Sequence, residues 1–152
     1  MHVDRFKALI LTKVCISLQG RSLFTPLSLT VHPGEVVTVM GPSGCGKSTL
    51  LGYICGTLAP AFQAEGSVRL GERELVELPL ERRRVGILFQ DALLFPHLSV
   101  AENLAFGLPP GQSRHKRRFW VETALLDAGL EGLGERNPAT LSGGQRARAA
   151  LM

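Results

Sequence analysis

The stretch "GPSGCGKST" at residues 41 to 49 sets three glycines around one lysine and follows the lysine with two hydroxyl residues. It matches the pattern G-x-x-x-x-G-K-[ST], whose chemistry is the cradling of phosphate. Gly41, Gly44 and Gly46 let the backbone curl until successive N–H groups point inward at phosphate oxygens, and the positive end of a following helix adds to the attraction. Lys47 supplies a point charge between β and γ phosphates, and Ser48 offers its hydroxyl to Mg²⁺. Pro42, Ser43, Cys45 and Thr49 complete the binding loop and its first helical turn. A thiol beside a lysine at a helix start is also a candidate for heightened reactivity, in which case bound nucleotide should shield Cys45 from alkylation.

Such a loop works only between a strand and a helix, and both flanks fit. "VVTVM" at 36 to 40 is continuously apolar and β-branched, the pattern of a strand covered on both faces, and it runs straight into Gly41. From Lys47 onward, Leu50, Leu51, Ile54 and Leu58 recur at helical spacing until Gly56 and Pro60 stop the helix. Upstream, "ALILTKVCIS" (8 to 17) and "LSLTV" (27 to 31) read as strands, with "HPGE" as a turn; downstream, "GSVRLGE" and "RVGILFQ" read as two more. The class is therefore α/β.

Beyond Gln90 the character changes. Ser99 followed by Glu102 forms a capping box ahead of the apolar run "VAENLAFGL", so a short helix starts there. After the loop "LPPGQS" comes a second helix whose apolar face comprises Phe119, Val121, Ala124, Leu125 and Ala128, stopped by Gly129. Residues 1–90 are thus expected to form the α/β core, 91–140 an inserted helical subdomain, and 141–152 a loop opening onto another helix.

Composition narrows the class without naming a reaction. With 45% hydrophobic and 20% charged residues, 152 residues make a chain that buries a core. No run approaches the ~18 apolar residues of a membrane span, and Lys7 and Lys13 interrupt any apolar leader, which places the chain in the cytoplasm. The odd count of three cysteines, with no Cys-x-x-Cys pair, reads as reduced thiols. Net charge +4 is compatible with a nucleic-acid or membrane-surface partner, yet "RRR" at 82 to 84 and "RHKRR" at 114 to 118 read first as solvated faces. No nucleic acid is expected.

A phosphate loop alone leaves nucleoside monophosphate kinases open. Discrimination comes from "LSGGQ" at 141 to 145 together with "FQ" at 89 and 90. With these motifs in order, the whole chain resembles the ATP-binding cassette (ABC) family, and within it the ATPase subunits of bacterial importers. The resemblance implies a P-loop, RecA-like core with N-terminal antiparallel strands and an inserted helical subdomain. It implies ATP and Mg²⁺ as cofactors and Gln90 as the residue that reaches Mg²⁺ and the attacking water; by itself Gln90 is only a polar strand end. Ser142, Gly143, Gly144 and Gln145 open an alanine-rich helix with a phosphate-ready N-terminus. In the family this signature completes the ATP site of a second subunit paired head to tail.

The further partners implied are a membrane-spanning permease, met near residues 91 to 107, and for an importer a periplasmic binding protein, with the ATPase peripheral on the cytoplasmic face of the inner membrane. Two departures stand out. The adenine-stacking aromatic of the family aligns with Leu18, which has no π face, unless Phe24 serves instead. The sequence also closes at Met152, ahead of the acidic Mg²⁺ and water-activating groups of the family, so the fold is expected to be incomplete at its C-terminus. Such a chain should be poorly soluble and should bind nucleotide better than it hydrolyses it. A non-transport ABC-type ATPase, or a nucleotide-binding fragment without hydrolysis, stay open as alternatives. The transported solute is not readable from these residues.

Overall fold

A computed structural model describes residues 7–152, so the first part of the expected leader-free start lies outside the described residues. The chain forms two compact units, one ending at Ile87 and one running from Leu88 to Met152, so the 141–152 segment belongs to the second unit.

The first unit is built on an antiparallel sheet. Strand β1 (Leu9–Leu18) lies at its centre; β4 (Phe62–Leu70) pairs along one side of it, while β2 (Arg21–Ser22) and β3 (Leu27–Val31) share the other. A short β5 (Arg73–Glu74) pairs with β4. Helix α1 (Lys47–Cys55) lays Leu50, Tyr53 and Ile54 into the same core as Leu11, Val14, Ile16 and Val68. Leu51, which shares the helical spacing, points away from that core and is exposed.

Strict alternation along β1 from Leu11 would turn Lys13, Cys15 and Ser17 inward. A bulge prevents this: the register slips between Leu11 and Val14 against β3 and between Thr12 and Cys15 against β4, with Lys13 at φ 50°. Val14 and Ile16 thereby take the inward positions and are fully buried. Gly66 sits opposite the bulge at φ +95°, and a β-carbon there would stand 2.6 Å from the carbonyl oxygen of Lys13. Gly66→Ala is accordingly expected to destabilise the chain by about 3 kcal/mol, since backbone rather than a flexible side chain would have to move. A urea midpoint unchanged from wild type would contradict this.

Two expected strands are not formed. Residues 36 to 40 and 84 to 90 have no ladder partner among the described residues. Val36 is 90% and Met40 86% exposed, and Leu88 and Phe89 are exposed too. The β-branched pattern gives these segments strand propensity, but a strand exists only when a neighbour accepts its hydrogen bonds.

The run at 82 to 84 also departs from a solvated face. Helix α2 (Leu80–Arg83) ends with Arg83 only 7% exposed, its guanidinium donating to the carbonyl oxygens of Tyr53, Ile54, Val76 and Leu78 at 2.7 to 3.1 Å. It therefore satisfies carbonyls at the C-terminal end of α1 and ties them to the loop after β5. Burial pushes the thiol of neighbouring Cys55 upward in pKa, an effect the Arg83 cation only partly opposes. On β5, burial alone would raise the Glu74 carboxyl, but hydrogen bonds from the Ser67 hydroxyl and the N–H groups of Val76, Val68 and Leu75 outweigh it and hold it below its ordinary range.

The second unit is helical: α3 (Val100–Phe106), α4 (Arg114–Asp127), a 3₁₀ turn at Pro138–Thr140 and α5 (Gly143–Leu151). Val100, Val121, Leu125, Leu130, Leu141 and Ala149 form its core. Phe119, assigned to the buried face of α4, is instead 57% exposed. The capping box at α3 is present, with Ser99 Oγ accepting from the Glu102 N–H and Glu102 Oε2 from the Ser99 N–H.

Candidate functional site

The phosphate loop occupies residues 41 to 49 of the first unit, and its shape follows from its glycines. Gly44 (φ +79°) and Gly46 (φ +92°) hold left-handed conformations that residues with a β-carbon rarely adopt. At Gly46 a β-carbon would also press on the Phe24 ring at 3.1 Å, and at Gly41 it would meet Cys45 Sγ at 2.8 Å. Gly46 caps α1 without any side-chain hydrogen bond, and no acidic residue lies in the first turn. The first N–H groups of α1 are thus left for an anion rather than for an internal carboxylate.

Lys47 folds back over the loop, its ammonium donating to the carbonyl oxygens of Gly41 at 2.8 Å and Pro42 at 2.7 Å, with Cys45 Sγ at 3.8 Å. These contacts hold the cation against the glycine turn. Ser48 follows at the second helical position. A cavity of about 290 Å³ adjoins the loop, walled by Leu23, Phe24, Val39, Met40, Leu50 and Lys47. Phe24 belongs to this wall; Leu18 lies at the end of β1 opposite Arg21 and Phe62. An apolar cavity beside a phosphate cradle suits the two ends of a nucleotide.

The signature residues lie in the second unit, where Ser142 is the N-cap of α5. Ser142 Oγ accepts from the Gln145 N–H at 3.2 Å and Gln145 Oε1 accepts from the Ser142 N–H at 2.9 Å, a reciprocal capping box. Gly143 and Gly144 are exposed, and a β-carbon at Gly143 would meet nothing within 4 Å. Packing inside the chain therefore does not demand glycine at 143. Gln90 is exposed and begins no helix. The structure thus gathers Gly41 to Thr49 into one cradle and Ser142 to Gln145 into one helix start.

A residue that sequence reasoning passed over is Asn103. Its amide donates to the carbonyls of Phe95, Leu98 and Ser99 and accepts from the Phe95 N–H at 2.7 Å, fastening "LLFPHLS" onto α3. Its only sequence signal was a polar residue within an apolar helical run. Among the described residues there is no cluster of His, Cys, Asp and Glu able to hold a metal by itself, and no helix long and apolar enough to cross a membrane. A Mg²⁺ held chiefly by phosphate oxygens and one protein hydroxyl requires no such cluster, so Ser48 fits that role.

Comparison with known proteins bears on the same residues. The family described as "ABC transporter" matches residues 24–152. The chain is 48% identical over 144 residues to the "Uncharacterized ABC transporter ATP-binding protein YnjD" of Escherichia coli (strain K12), covering 95% of this chain and 66% of that protein. It is 44% identical over 126 residues to the "Fe(3+) ions import ATP-binding protein FbpC" of Brucella abortus (strain 2308), covering 82% of this chain and 35% of that one. The chain therefore spans about two thirds or less of the length of these relatives. Among solved structures it is similar to the ATP-binding cassette MJ0796, a dimer in a post-hydrolysis state bound to ADP and Pi, with TM-score 0.76, 30% identity, and coverage of 94% of this chain and 67% of that one.

Proposed function

The chain belongs to the ABC transporter family, and on that premise we propose that it is the ATP-binding part of a transporter, coupling ATP binding and hydrolysis to solute transport across the inner membrane. The observation that carries this reading is the cradle itself: left-handed Gly44 and Gly46, an uncapped start to α1, and Lys47 poised over the loop. Resemblance to an Fe(3+)-import subunit supports an importer and an ion or small polar solute as cargo.

In this reading Gly41 to Thr49 bind the nucleotide phosphates through backbone N–H groups, and Lys47 exchanges its carbonyl partners for phosphate oxygens. Bound Mg²⁺ would neutralise phosphate charge as it develops. The Ser48 hydroxyl is the group of the loop that would hold it. Ser142, Gly143, Gly144 and Gln145 act on the nucleotide of a second ATP-binding subunit paired head to tail, a reading supported by the dimer of the similar MJ0796. A permease, a periplasmic binding protein and attachment to the cytoplasmic face of the membrane complete the assembly. Residues 1–90, 91–140 and 141–152 act in it as core, helical subdomain and signature.

Gly143→Ala separates these roles, because the chain has room for the methyl group. ATP binding to the monomer and the melting temperature should stay as in wild type, while ATP-induced dimerisation, followed by light scattering, should weaken roughly tenfold or more. Absence of ATP binding in wild type would sink the proposal. Binding and dimerisation without turnover would favour the alternative of a nucleotide-binding chain without hydrolysis.

A further inference from the structure

The cavity beside the phosphate loop has walls of two kinds. Leu23, Val39, Met40 and Leu50 give it aliphatic surface, while Phe24 gives it the one aromatic ring found there among the described residues. Phe24 lies in the connection from β2 to β3, and hydrogen bonds fix the backbone on both sides of it. The Leu23 N–H donates to the Ile16 carbonyl at 2.9 Å, and the Phe24 carbonyl accepts from the Ser22 hydroxyl at 2.6 Å. A weaker contact from the Cys15 thiol reaches the same oxygen at 3.9 Å. The ring is half-buried and packs on the core that β1 and α1 share. It is therefore ordered before any ligand arrives, and little entropy is lost when it is covered.

Gly46 fixes where the ring stands relative to the cradle. A β-carbon there would lie 3.1 Å from both Cδ1 and Cε1 of Phe24, so one ring edge rests on the start of α1. Gly41, Gly46 and Lys47 line the same cavity as Phe24, and a ligand whose phosphates occupy the loop has its remaining part beside this ring. A flat π-system gains most from such a wall. Leu18 is elsewhere: it pairs with Arg21 and Phe62 at the end of β1 and does not line the cavity.

Side chains able to read the edge of a base are few in this wall. Thr25 contributes a hydroxyl, and the Lys47 ammonium is engaged with loop carbonyls. A hydroxyl donates or accepts as required, so it meets an amino group or a carbonyl on a base equally well. Apolar surface likewise discriminates weakly between groups of similar size.

We infer that Phe24 is the residue on which the base of a bound nucleotide stacks, and that it selects the purine face without distinguishing adenine from guanine. This assignment rests on the nucleotide-binding reading of the loop and adds to it the residue and the substrate class that set specificity.

The test is titration calorimetry of wild type, Phe24→Leu, Phe24→Tyr, Leu18→Ala and Lys47→Ala with ATP, GTP, CTP and inorganic tripolyphosphate, which carries the phosphates and no base. Wild type should bind ATP and GTP within about threefold of each other, and CTP more weakly because a pyrimidine covers less of the ring. Phe24→Leu keeps an apolar side chain and loses the π face, so it should weaken ATP and GTP roughly tenfold and leave tripolyphosphate binding unchanged. Phe24→Tyr keeps the face and should retain ATP affinity, and Leu18→Ala should bind every ligand as wild type does. The wild-type order of affinities needs no substitution, so it tests the inference even if the leucine variant does not fold. Equal loss of ATP and tripolyphosphate in Phe24→Leu would reduce the ring to a support of the loop and overturn the inference. So would ATP loss in Leu18→Ala with Phe24→Leu unaffected, or GTP binding weaker than ATP by about tenfold or more. Tripolyphosphate binding that is absent in wild type, or undiminished in Lys47→Ala, would instead strike the nucleotide-binding reading and this inference with it.

Discussion

Replacing Arg83 by methionine is expected to lower the unfolding free energy by about 3 kcal/mol, while Arg82→Met, one position away, should change it by less than about 0.5 kcal/mol. The two side chains look interchangeable within "RRR", yet Arg82 is exposed and Arg83 is buried. Methionine matches much of the volume of arginine, so a cavity contributes little. What is lost is a guanidinium donating to four carbonyls, and the oxygens of Tyr53 and Ile54 lie where no water can readily replace it. Lysine should rescue only part of the loss, because one ammonium cannot reproduce a planar fork that spans Val76, Leu78, Tyr53 and Ile54. Urea unfolding of the three variants is the measurement. Equal midpoints for Arg82→Met and Arg83→Met would show that these hydrogen bonds contribute no net stability.

Lys47→Ala is expected to weaken ATP binding about 100-fold, close to 3 kcal/mol, with folding stability within about 0.5 kcal/mol of wild type. Among the described residues the ammonium is held by two loop carbonyls and a weak thiol contact, so its removal disturbs an exposed loop and not the core. Against triphosphate, by contrast, it is the one formal positive charge of the cradle, whose other donors are neutral N–H groups. Arginine should not restore affinity, since a planar guanidinium cannot act as the compact point charge that the Lys47 ammonium supplies. Titration calorimetry with ATP decides the matter. Undiminished affinity in Lys47→Ala would remove the loop from the nucleotide site.

The two predictions differ in how visible their residues were. Lys47 is named by its neighbours in sequence, because glycines, lysine and hydroxyls at fixed spacing make a loop by local backbone chemistry alone. The same holds for Ser99 with Glu102, Ser142 with Gln145, the turn closed by His32 and Glu35, and the stop of α1 at Gly56. In each, the partners lie within a few residues, so the sequence contains the whole interaction.

Arg83 is the opposite case, since its acceptors lie up to 30 residues away and nothing within "RRR" marks the middle residue. Likewise the inward turn of Val14 and Ile16 depends on a bulge answered by Gly66 on another strand, and alternation along β1 alone would have faced Lys13 inward. The outward position of Leu51 and Phe119 shows that helical spacing defines a stripe but not its edges. "VVTVM" and "RVGILFQ" have strand composition and lack a ladder among the described residues, because strand formation depends on a neighbour. By itself, then, the sequence determined the loops, caps and family of this protein, all written in contacts a few residues long. Tertiary structure decided which arginine is buried, which side of a strand faces in and which segments pair, because those free energies depend on partners that only folding brings near.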